Sequence, residues 1–164
     1  MATRNTSFRF LDFKPDYRDN ARPHFAEHST GDKFNEIEGT VTEGFLVEKT
    51  TGAGEKFKRF IIRVQDGGEI LSVELTHCEA TYSLLSALAS RNTDLPVTIK
   101  TRKATTDDST GYARVDVLQM IDTQRLARLP WLVDVTKVTR DPDDRKAAFE
   151  EFFNTHFNSS RVVK

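Results

Sequence analysis

The sequence predicts a mainly β fold: five strands, a helix between the third and fourth, an N-terminal arm and a C-terminal helix. Three observations carry this. Apolar and polar residues alternate, as in a half-buried strand, across residues 38–76. Two turn-forming runs, Thr50–Glu55 (TTGAGE) and Asp66-Gly67-Gly68, cut that stretch into strand-sized pieces. At Glu79 the period changes to that of a helix.

The elements follow in order. Glu38–Lys49 (EGTVTEGFLVEK) alternates, with Val41, Phe45 and Val47 expected on one face. Lys56–Gln65 (KFKRFIIRVQ) is the clearest strand. Its period of two sends Phe60, Ile62 and Val64 one way and Phe57, Arg59, Ile61 and Arg63 the other. Glu69–Thr76 (EILSVELT) brings Leu71, Val73 and Leu75 together. Glu79–Ser90 (EATYSLLSALAS) places Tyr82, Leu85 and Ala89 on a helical stripe, flanked by Leu84 and Leu88. Leu95–Lys103 (LPVTIKTRK) is the fourth strand, with Pro96 near its start, where a missing N–H is tolerable. Ala104–Thr110 is a polar loop and Gly111–Ile121 the fifth strand.

Three zones result: an arm at residues 1–35, a barrel at 36–122, and a linker with a Phe-rich helix at 123–164. In the arm Pro15 and Pro23 break any helix, and a short strand is expected at Ser7–Phe13. In the last zone Asp141 reads as an N-cap and Pro142 as the first helical residue. The helix runs to Phe157, with Phe149, Phe153 and Phe157 on one face and Phe152 beside them.

The order strand–strand–strand–helix–strand–strand resembles the OB-fold, a five-stranded Greek-key barrel with a helix between strands three and four. The resemblance covers residues 36–122, about half the chain. Within that fold the chain looks most like single-stranded-DNA-binding proteins of phage or bacterial type, which act in DNA replication and recombination. The resemblance implies a non-catalytic protein that binds single-stranded DNA with little sequence preference, without a cofactor. Ser159-Ser160-Arg161-Val162-Val163-Lys164 does not match the acidic tail of the bacterial members, so no partner-recruiting tail is expected.

Composition bounds the alternatives. With 164 residues, 37% hydrophobic and 30% charged, and mean hydropathy -0.52, the chain suits one hydrated domain. It has no run of eighteen apolar residues and no apolar leader, so neither a membrane span nor a secretory signal is expected. The single cysteine, Cys78, excludes an internal disulfide and suits a reducing compartment. A cytoplasmic location is expected, the host cytoplasm if the chain is phage-encoded. The net charge of -1 argues against a polycation and leaves room for a local basic patch.

The candidate binding face gathers Lys56, Phe57, Lys58, Arg59 and Arg63 of the second strand with Lys100, Arg102, Tyr112 and Arg114 of the fourth and fifth. Phe57 and Tyr112 would stack bases, while the cations would meet phosphates. Residues 36–122 hold ten Lys and Arg against fourteen acids, but seven of the ten, including Lys103, lie in 56–63 and 100–103. Clustering rather than total charge makes a groove. The competing reading is cross-strand ion pairing with Glu43, Glu48, Glu74 and Asp116, with Phe57 and Ile61 packed under the arm or the last helix.

Other chemistry finds little support. TTGAGEK lacks the spacing of a phosphate loop and precedes a strand, not a helix. His24, His28, His77, Cys78 and His156 show no metal-ligand spacing. Asp107-Asp108 and Asp143-Asp144 are not coupled to a base or nucleophile. The Phe-rich helix either covers the barrel of its own chain or uses Phe149, Phe152 and Phe153 to form a homo-oligomer. The second functional reading is therefore a protein-interaction or structural module, such as a phage assembly or virion component, built on the arm and that helix.

Overall fold

The computed structural model describes residues 7–14, 22–102, 115–122, 125–138 and 141–157. Its strands are β1 (Ser7–Lys14), β2 (His24–Glu27), β3 (Lys33–Phe34), β4 (Glu36–Thr50), β5 (Lys56–Asp66), β6 (Glu69–Leu75), β7 (Val97–Thr101), β8 (Val115–Asp122) and β9 (Arg125–Arg128). Helix α1 (Glu79–Ala89) lies between β6 and β7, and α2 (Pro142–Phe157) follows a 3-10 turn at Val135–Lys137.

These strands form one open, mostly antiparallel sheet in the order β3-β2-β1-β6-β5-β4-β7-β8-β9, not the closed five-stranded Greek-key barrel expected from the OB-like order. The architecture is mixed α/β. Strands and a helix do occur at the expected places in 36–122, but closure would have to join two edges that are already taken. The free edge of β6 is filled by β1, which runs parallel to it from Ser7↔Glu69 to Asp12↔Glu74. The outer edge of β8 is filled by β9, with Leu118 opposite Arg128. The segment read as an arm thus contributes an interior strand. The sheet ends on short strands, two residues in β3 and four in β9, which limits edge-to-edge association.

β4 organises the sheet. Its first residues, Glu36–Gly39, pair with β7, while Thr40–Thr50 pair with β5. The change of partner falls at Gly39, whose φ of 153° suits glycine and where an added Cβ would meet Gln65 O at 2.5 Å. A bulge follows between Val41 and Glu43. An extra residue in one strand reverses its in–out parity. Val41 is therefore buried in the core, while Phe45 and Val47 turn to the opposite face, contrary to their expected grouping.

Helix α1 packs against β8 and α2 against β4, and their apolar residues share one core with Phe60, Ile62 and Val64 of β5 and Leu71, Val73 and Leu75 of β6. α1 is buried from Ala80 to Leu88. α2 starts at a working cap: Asp141 Oδ1 accepts the backbone N–H groups of Asp143 and Asp144, both at 3.0 Å. Phe149, Phe153 and Phe157 are buried within their own chain, and Phe153 meets Phe60 edge-to-face at 5.0 Å. Phe152 is only partly covered. The close approach of α2 needs Gly44, where a Cβ would lie 2.7 Å from Phe153 Cζ and 2.8 Å from Phe157 Cβ.

Candidate functional site

With both helices on one side, β1, β6, β5 and β4 present their other face with no described helix over it. Pairing registers place the side chains on that face in rows. Glu43, Arg63, Ser72 and Phe10 form one row, and Phe45, Ile61, Glu74 and Asp12 the next. Val47 and Arg59 pair beyond them, and Lys49 pairs with Phe57. Period-two alternation in SFRFLDF puts Phe8 and Phe10 on this side while Leu11 and Phe13 go to the core.

The face joins rings to guanidinium groups. Arg63 lies 5.0 Å from the Phe45 centroid and 5.7 Å from that of Phe8. Arg59 lies 4.4 Å over Phe57. Phe8 and Phe10 stack at 6.4 Å and remain 47% and 50% exposed, so their outer surfaces are open to a ligand. Arg63 also has a buried Nε–H with no hydrogen-bond partner among the described residues.

Every arginine here has a carboxylate. Arg63 Nη1 is 2.9 Å from Glu43, Arg59 Nε is 3.4 Å from Glu74, and Glu74 also accepts from Lys49 Nζ at 2.7 Å. Lys56 sits 3.8 Å from Glu48 and Lys58 3.7 Å from Glu150 of α2. In the other half of the sheet Arg102 Nε is 3.1 Å from Asp116, which also meets Arg128 at 3.4 Å. The four acids expected from cross-strand pairing are thus the partners these cations take, with Glu150 added. The patch is mixed in charge.

The two basic stretches do not lie side by side. Arg63 pairs with Glu43 on β4, whereas Lys100 pairs with Glu36, seven positions away along the strand. At ~3.3 Å per residue that is roughly 20 Å. Phe57, Arg59 and Arg63 share the open face, Lys56 and Lys58 alternate away from it, and Lys100 and Arg102 stand apart on β7 and just after it. Lys103, Tyr112 and Arg114 lie outside the described residues.

No family model, curated protein or solved structure matches this chain. Function must be read from the arrangement itself. Neither described helix is long and apolar enough to cross a membrane. Among the described residues no three His, Cys, Asp or Glu side chains converge as metal ligands.

A second constellation sits where β5, the end of β6 and α2 meet. His77 Nε2 is 2.9 Å from Glu150 and Nδ1 is 2.6 Å from Tyr82 Oη. Burial lowers the His77 pKa first of all, against the opposing hydrogen bond to Glu150, so the ring is held neutral. A carboxylate only accepts, so Nε2 carries the proton and Nδ1 accepts the Tyr82 hydroxyl. Burial raises the Tyr82 pKa, which keeps that hydroxyl a donor. Sequence reasoning missed this chain because His77 and Glu150 are 73 positions apart. It also missed Phe8, Phe10 and Phe45. The first two were signalled by their alternation; Phe45 was hidden by the bulge.

Proposed function

We propose that this protein is a binding protein, not an enzyme, that holds single-stranded DNA with little sequence preference on the open sheet face, in the cytoplasm where replication and recombination expose such strands. The observation that supports this best is the Phe8–Arg63–Phe45 arrangement, a guanidinium between two rings on a face with no described helix over it. Phe8, Phe10 and Phe57 offer π-surfaces that any base can stack on, and an open sheet face lets bases lie flat along it. Arg63 and Arg59 hold their rings in place and offer donors to the strand.

Affinity on such a face comes mainly from stacking. Glu43 and Glu74 already neutralise the arginines, so a phosphate competes with a carboxylate rather than with loosely held counterions. The expected log–log salt slope is shallow, about -0.7 to -1.4, the release expected for one or two phosphates on single-stranded nucleic acid. Fluorescence anisotropy with labelled oligo-dT between about 20 and about 200 mM salt tests this. Saturable binding with a shallow slope supports the proposal; no binding at low salt removes it.

One observation favours a second reading. The half-exposed Phe8 and Phe10, with His28 stacked on Phe10 at 6.4 Å, form an apolar strip among neutralised charges, which also suits a protein surface. Association that is lost in Phe10→Ser, without any oligonucleotide binding, would select that interaction module.

A further inference from the structure

Between the start of β5, the end of β6 and the first half of α2 lies a cleft of about 400 Å³. Lys56, Lys58, Arg59 and Lys146 line it, with Glu48 and Glu150 as the only carboxylates among the described residues of its lining. Four cations thus face two lining anions, with Arg59 also paired to Glu74 at 3.4 Å, in a chain whose net charge is -1. The carboxylates do not consume the lysine donors: Lys56 and Lys58 stand 3.8 and 3.7 Å from theirs, beyond hydrogen-bonding reach. Lys146 is exposed on α2 and forms no ion pair among the described residues. His77 holds one oxygen of Glu150 at 2.9 Å, while its other oxygen stands 3.7 Å from Lys58.

We infer that this cleft binds a phosphomonoester, with Lys58 and Lys146 as its principal donors. A terminal phosphate carries up to two charges and several acceptor oxygens, which suits excess ammonium groups set around a cavity of this size. Phe57 and Arg59 line the cleft and also belong to the open face, so a strand lying on that face leads into it. The inference rests on the single-strand reading where the phosphate is a strand end; a free nucleotide or inorganic phosphate offers the same chemistry without it.

The test separates these sources. Oligo-dT with a 5′-phosphate, a 3′-phosphate or neither is titrated against the full chain and against Lys146→Gln and Lys146→Arg. Thymidine monophosphate and inorganic phosphate are titrated in parallel by calorimetry. One phosphorylated end should bind about tenfold more tightly than the unmodified strand, the scale of a charge-assisted hydrogen bond. Lys146→Gln should abolish that gain and leave the unmodified strand unaffected, while Lys146→Arg keeps it. Binding of the mononucleotide or phosphate alone, lost in Lys146→Gln, supports the cleft even if no strand binds, and in that case the sheet-face reading falls. Equal affinity for all three strand ends, with no binding of either small anion, overturns the cleft and leaves the sheet face standing.

Discussion

The Tyr82 ring lies flat on that of Phe149, with centroids 4.0 Å apart and planes 6° from parallel. This contact joins the two helices, one from the middle of the chain and one from its end. It also sets the position of the hydroxyl that Tyr82 offers to His77. The last helix is therefore part of the core, and the open face exists because both helices are spent on the other side of the sheet.

Phe153 sits at the centre of that packing, fully buried between Phe60 and Phe157. Phe153→Ala should cost about 3–5 kcal/mol, the range for truncating a buried ring. Urea denaturation measures it. A change below about 0.5 kcal/mol, the range of surface substitutions, would mean that α2 is not packed as described.

Gly44→Ala should also destabilise, by about 1–3 kcal/mol. The new methyl would meet Phe153 Cζ and the Phe157 Cβ at under 3 Å, and the second of these moves only with the helix backbone. The same denaturation experiment checks it, and a neutral result would show that α2 can lift off β4 at little cost.

Stability should depend on pH through His77. Its folded pKa lies below the ordinary 6.5 because burial outweighs the pull of Glu150, with Lys146 and Arg59 adding to the lowering. The unfolded chain therefore binds the extra proton first on acidification. The contribution is complete above the unfolded value of about 6.5 and is lost as pH falls from there through the folded value. The urea midpoint should drop between about pH 7.5 and 5.5, a span that brackets the unfolded histidine. His77→Gln can still accept from Tyr82 and donate to Glu150, and should show a smaller drop. An equal drop in both would assign the effect to other groups.

Legibility in the sequence tracked the distance over which information had to act. The parity of β5 was readable because Phe60, Ile62 and Val64 alternate with Arg59, Ile61 and Arg63 without a break. The cap at Asp141 and the buried stripe of α2 were readable because both depend on neighbours within a few residues. Glu43, Glu48 and Glu74 were identifiable as counter-charges because β4, β5 and β6 are joined by short turns that fix their register. The open sheet was not readable. It depends on β1 reaching β6, roughly sixty residues away, and on β9 taking the edge of β8, and a period of two names no partner. The placement of Phe45 failed for a local reason, a bulge that leaves the alternation intact on either side while reversing its sense.

The binding face makes the last prediction. Phe10 is half exposed and touches Phe8 and His28, so Phe10→Ser should change folding stability by no more than about 0.5 kcal/mol. If its ring stacks a base, the same change should weaken oligo-dT binding by about 1–3 kcal/mol and leave the salt slope unchanged, because no charge is lost. Arg63→Gln should weaken binding too, but by a different route. It removes the group between the Phe8 and Phe45 rings and the positive charge that pairs with Glu43, so the slope should alter as well. Anisotropy titrations of both variants at several salt concentrations separate the two effects. Wild-type binding that neither substitution weakens would move the strand off this face, since one variant removes an exposed ring and the other the guanidinium between two others.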